Sequence, residues 1–231
     1  MLNAKDIQEK LAADSGTAAH LAADPRPDDE KLRDIVQSRT YQLSALPNDF
    51  NKSDRQNFSR YYAKRLGAEV LFDAVNQLTQ TPGKFAGLPV GTRAIALPDN
   101  SFNAGSYFLT VFGRPESSSA CECERTTEAS LAQALHLLNA KDIQEKLAAD
   151  SGTAAHLAAD PRPDDEKLRD IHLLAYGREP DPTELALAKA HLEKPRTTPD
   201  GKPLTPAQSK RQGYEDVLWA VLNTKEFLFN H

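Results

Sequence analysis

Apolar residues along the chain recur mostly three and four positions apart, the period of a helix with one buried face. The punctuation between them is helical too. Ser53-Asp54-Arg55-Gln56 has the form of a capping box, and it predicts a long helix to about Thr79. Along it Phe58, Tyr61, Tyr62, Leu66, Val70, Phe72, Ala74 and Leu78 make an apolar stripe. Arg65, Glu69 and Asp73 recur every fourth residue on it, as a solvated charged row would. Leu131, Ala134, Leu135 and Leu138 predict a buried helix. Next, Asn139 can cap a helix with Ile143 and Leu147 on one face, which Asp160-Pro161-Arg162-Pro163 breaks. A further helix restarts at Asp164 and stops before Gly177, a residue that tolerates positive φ. Asp181-Pro182-Thr183-Glu184 and Thr205-Pro206-Ala207-Gln208 each place a cap, a proline at the first helical position and a partner at the third. They predict helices over 181–194 and 205–224, the second burying Val217, Leu218, Trp219, Val221 and Leu222.

The pattern changes between Gln80 and Arg125. Proline and glycine punctuate this stretch, which shows only short strand-like runs at Ala94–Leu97 and Tyr107–Phe112. Its apolar content, Phe85, Leu88, Val90, Phe102, Phe108 and Phe112, predicts an ordered segment wrapped over the helices. The fold class is therefore mainly α: an irregular helical domain with a long Pro/Gly-rich ordered segment, about 80–125, containing at most short strands.

One repeat stands out. Residues 2–35, LNAKDIQEKLAADSGTAAHLAADPRPDDEKLRDI, recur letter for letter as 138–171. Repeats of a solenoid are adjacent, and these are not. The expected organisation is a duplicated helical segment over 1–35 and a single mostly helical domain over 36–231 whose front part is missing. The second copy is expected to pack into the fold and the first to meet a different environment. Each copy carries a net charge of −3, so the two supply more than the whole chain's −5, and the remainder is nearly neutral. With no basic surplus, binding to nucleic acid or to an anionic membrane surface is not expected. No apolar run is long enough to cross a membrane, and the polar start LNAKDIQEK lacks the form of a secretory signal.

Candidate chemistry is sparse. In CECER, Cys121, Cys123 and Arg125 would point one way on an extended chain while Glu122 and Glu124 point the other. The two thiols could be half of a tetrahedral metal site with His136 as a third ligand, could be redox-active, or could anchor the loop as small buried residues. Arg39, Arg60, Arg65, Arg93, Arg114 and Arg125 sit beside apolar residues, where pairing with Glu69, Asp73, Glu122 or Glu124 is the expected structural role. RYYAKR, Arg60–Arg65, mixes basic and aromatic residues as a single-strand-binding surface does, although tyrosines on a helix would face the core. Phosphate-loop, GxSxG, HExxH and CxxCH motifs are missing from the sequence.

Five blocks in order carry a resemblance: SRTYQLSALPNDFNKSDRQNFSRYYAKRLGAEVLFDAV, FAGLPVGTRAIALPD, FGRP followed by CECERTTEASLAQALHLLN, LLAYGREPDPTELALA, and DVLWAVLNTKEFLFNH. Over about Asp34 to His231 the chain resembles the C-terminal domain of unknown function of large planctomycete proteins that carry c-type cytochrome modules at their other end. The resemblance implies a mostly helical, extracytoplasmic module (periplasmic or cell-surface) whose partners are the other domains of its parent protein. It implies no cofactor in this chain, haem belonging to a separate upstream module. The family's recurring arginine and cysteine positions match Arg39, Arg114, Cys123 and Arg125. A non-enzymatic binding or structural role is the first reading. A hydrolase or redox component acting on extracellular polymers, with a site around Arg93, Arg114 and Cys121–Arg125, is the second. A metal-binding module using Cys121, Cys123 and His136 is the third.

Overall fold

The computed structural model describes residues 23–39, 41–54, 57, 59–97, 106–114 and 131–230. These residues fall into two compact units, one up to Lys64 and one from Arg65 onward. The chain is mainly helical. Among the described residues the only strands are two-residue pieces at Lys64–Arg65 and Phe229–Asn230.

In the first unit the described helix is α1 (Asp28–Gln37), which buries none of its residues. Asp28, Asp29 and Glu30 place three acids in its first turn, where the helix dipole favours them. Beyond it the chain is held by short-range turns. Asp54 accepts hydrogen bonds from the N–H groups of Asn57 and Ser59 and from the Ser59 hydroxyl. Asp54 therefore holds a local turn, and the helix expected from Ser53 does not begin there.

The second unit holds the core. Its helices are α2 (Ala68–Thr79), α3 (Tyr107–Val111), α4 (Leu131–Asn139), α5 (Lys141–Leu147), α6 (Thr153–Ala159), α7 (Asp164–Tyr176), α8 (Pro182–Leu192), α9 (Pro206–Leu222) and α10 (Lys225–Leu228). The α9 helix packs most extensively on α6, with α7 and α8 beside each other and α2 touching most of the remainder. Leu71, Val75, Leu109, Ala154, Leu168, Tyr214, Leu218 and Leu222 are among the side chains at its centre. Burial of this apolar surface is the main force that assembles these mostly short helices, since few of them would persist alone in water.

Both proline-bearing capping boxes are present. Asp181 accepts from the N–H groups of Thr183 and Glu184, and Thr205 from that of Gln208, with Glu184 and Gln208 reaching back in return. Gly177 ends α7 at φ 69°. Val217, Leu218, Val221 and Leu222 are buried, while Trp219 is half-buried and donates its indole N–H to the Leu138 carbonyl at 3.3 Å.

Several elements differ from the pattern. The helix expected from Ser53 starts only at Ala68, because Gly67 is extended and the Leu66 N–H is taken by the Leu228 carbonyl, 2.9 Å away. Its charged row is not solvated: Glu69 is buried and Asp73 is bonded to backbone. Asn139 does not cap α5, whose N-cap is Ala140 without a side-chain bond. The expected single helix from there to the Asp160 break is two, α5 and α6, parted before Gly152. A Cβ at Gly152 would lie 3.2 Å from the Thr79 carbonyl, so α6 begins where the backbone of α2 presses closest. The strand-like runs are helical: Ala94–Ala96 forms a 3-10 turn, its Ala94 and Ile95 N–H groups bonded to the Asp73 carboxylate. Tyr107–Val111 forms α3, whose Phe108, Leu109 and Phe112 all turn inward.

Both copies of the repeated segment are described over 23–35 and 159–171. DDEKLRDI begins α1 and α7 alike, each after a proline with nearly the same backbone angles. Even the electrostatics repeat: Arg26 bridges Asp24 and Asp34, and Arg162 bridges Asp160 and Asp170. Burial does not repeat. Leu168 and Ile171 are 0% and 2% exposed, whereas Leu32 and Ile35 are 60% and 40% exposed.

Candidate functional site

A groove of about 1070 Å³ opens in the second unit among the middle of α2, the start of α3, and helices α4 and α5. The end of α2 shapes its floor. Gln80 adopts a left-handed conformation at φ 52°, which turns the chain so that the Thr81 N–H bonds back to the Asn76 carbonyl. That reversal brings the Asn76 amide and the Thr81 hydroxyl together under α5.

His136 forms one wall. Its side chain is 6% exposed, set among the rings of Tyr107, Phe108 and Phe112 at centroid distances of 5.5, 5.6 and 6.2 Å. Its Nε2 lies 3.4 Å from Asp142 Oδ2 and makes no well-formed hydrogen bond. Asp142 is well placed to be anionic: the neighbouring His136, with the Ile143 N–H 3.0 Å away, holds its carboxyl below the usual carboxylate range despite partial burial. A buried imidazole nitrogen without a full partner is a polar group in want of one.

Lys146, one turn after Asp142 on α5, lines the same groove. Its Nζ donates to Asn76 Oδ1 at 2.7 Å and to Thr81 Oγ1 at 3.4 Å, and it lies 5.4 Å from the centre of the Phe72 ring. Burial, reinforced by the charge of Lys84, pushes its ammonium pKa down, and Asp142 only partly offsets that. Three other lysines of this unit are held differently. Lys167, Lys189 and Lys210 each face a carboxylate within 3.1 Å.

Of the residues nominated by sequence, His136 lines this groove, while Arg93 and Arg114 do not. Arg114 is buried with Glu69, Nε to Oε1 3.3 Å, and is part of the core. Arg93 lies 3.5 Å from Asp73 and lines a smaller, separate groove of about 460 Å³. Arg65 donates to the Phe112 carbonyl, and Arg60 stacks over Tyr62 outside any helix. Arg39 is exposed. Cys121, Glu122, Cys123, Glu124 and Arg125 lie outside the described residues. His136, the third ligand of the metal reading, turns its Nε2 to Asp142; among the described residues no three His, Cys, Asp or Glu side chains cluster as a metal site would require. Lys146, Asp142 and Tyr107 were missed. The signal available was an acid and a lysine four apart on the helix directly after His136, with an aromatic at Tyr107.

A model of the family described as PSD1, protein of unknown function (DUF1553), matches residues 30–192, which is most of the chain. No curated protein and no solved structure matches significantly. The matched stretch runs from α1 to the end of α8 and includes the whole groove.

Proposed function

We propose, for a chain that belongs to the PSD1 family of proteins of unknown function (DUF1553), that it is a non-enzymatic binding module whose ligand sits in the groove between α2, α4 and α5. The observation that carries this reading is His136: a side chain more than nine-tenths buried, with an imidazole nitrogen lacking a full hydrogen bond, on the wall of a groove of about 1070 Å³. Tyr107, 70% exposed, offers a flat apolar face at the rim, and Lys84 and Asp142 offer charge of both signs. A small polar solute with an apolar face suits that lining. The module works alongside the other domains of a larger extracytoplasmic protein, haem being held by a separate cytochrome module; the sequence resemblance supports this part. No helix among the described residues is long and apolar enough to cross a membrane.

The test is an NMR titration of the full chain with glyoxylate, pyruvate, glucose and cellobiose, following the histidine ring signals. The His136 signal is identified by its loss in His136→Gln. A saturable shift of that signal with at least one probe is expected. No shift with any of the four at millimolar concentration would refute a groove ligand of this class.

A further inference from the structure

We infer that Lys146 is a carbonyl-capturing amine, so that the ligand of the groove is a small aldehyde or 2-oxo acid held reversibly as an imine. This rests on the groove reading above and names its ligand class. Three features of geometry carry it. First, among the described residues Nζ donates to neutral acceptors, Asn76 Oδ1 and Thr81 Oγ1. Neither acceptor is a carboxylate, so no bonded anion pins the nitrogen in its protonated form. Secondly, Lys146 lines the groove and is not sealed in the core as Lys167 is, whose Nζ is bonded to the Leu157 and Asp160 carbonyls and paired with Asp164. Thirdly, Lys84 lines the same groove and supplies a cation that both disfavours charge on Lys146 and attracts the carboxylate of an oxo acid. Burial acts in the same direction on the amine.

The chemistry is a condensation without change of oxidation state. The nitrogen lone pair attacks the carbonyl carbon, the C–N bond forms and the carbonyl π bond breaks. Proton transfer from nitrogen to oxygen gives the carbinolamine; a proton delivered by the His136–Asp142 pair lets that oxygen leave as water while the C=N bond forms, and the remaining N–H proton returns to the pair to leave the imine. His136 and Asp142 stand on the same groove wall as the acid and base able to move that proton. Water returning to the groove reverses the sequence and releases the ligand.

The experiment is reductive trapping. The full chain is incubated near pH 7.5 with glyoxylate and cyanoborohydride, the reductant supplying hydride to the imine, and adducts are mapped by peptide mass spectrometry. Lys146 is expected to be the principal adduct, ahead of Lys141 on the same helix, whose side chain is 90% exposed. Its rate should level off as glyoxylate rises, and adduct at that peptide should vanish in Lys146→Arg, which cannot form the imine but still offers N–H donors to Asn76 and Thr81. Labelling of Lys146 no faster than Lys141, with no saturation, would overturn the inference. A saturable His136 shift with glyoxylate in that case would still support the groove as a reversible binding site, so the two readings fail separately.

Discussion

At the residue scale, position in the core separates the arginines that looked functional from the groups that remain chemically available. Arg114 and Glu69 are both taken out of water, and removing either leaves a buried charge facing altered surroundings. Glu69→Ala is expected to destabilise the second unit by about 3–5 kcal/mol in urea unfolding. The paired change Glu69→Leu with Arg114→Met should recover much of that loss, because it removes both charges and keeps apolar volume. Such a role was legible: arginines flanked by apolar residues and acids at four-residue spacing suggest structural pairing. Which acid each arginine meets was not legible, since Arg114 and Glu69 are far apart in sequence and their meeting depends on how α2 and α3 pack. His136 was noticed as a possible metal ligand; its relation to Asp142 needed the turn between α4 and α5 to be known.

At the scale of elements, three local signals act as single-turn chemistry dictates, while the Ser53 box and the Asn139 cap do not start the helices expected of them. The Asp181 and Thr205 boxes and the Gly177 stop depend on residues within a single turn, and all three appear where the sequence places them. The start of α2 and the division of α5 from α6 depend on distant backbone, Leu228 and Thr79, and no short-range pattern encodes either. The identical segments make the distinction experimental. DDEKLRDI forms a helix in both places, so its helicity is encoded locally, but only the second copy is buried. Leu168→Ala is expected to cost about 2–5 kcal/mol by cavity formation. Leu32→Ala, the same substitution in the same string, should change stability by no more than about 0.5 kcal/mol. Urea denaturation of the two variants side by side measures the contrast. Asp181→Ala should cost about 1 kcal/mol through loss of its cap, whereas Asn139→Ala should cost almost nothing.

At the scale of the molecule, one charge cluster ties the C-terminal helices together. Arg178, just beyond α7, donates to both carboxylate oxygens of Glu184 on α8 and to both of Glu226 on α10, at 2.5–2.8 Å. It holds the Glu184 pKa down from 4.5 to about 2. A lowered carboxylate pKa stabilises the fold above the unfolded value, and that contribution is lost as pH falls through the folded one. Thermal stability should therefore fall between about pH 4.5 and pH 2 from this group, and Arg178→Gln should flatten that part of the profile, as scanning calorimetry across the range would record. The contribution is moderated by solvent, since both partners are partly exposed. Away from that cluster, the groove brings together residues from α2, α3, α4 and α5 that no single stretch of sequence contains, which is why the site was the least legible part of the protein. Its central claim is most directly tested by a crystal structure of the chain after glyoxylate and cyanoborohydride treatment. Density continuous with Lys146 Nζ, extending into the groove beside His136, is the expected result; an unmodified Lys146 with adducts only on exposed lysines would contradict it.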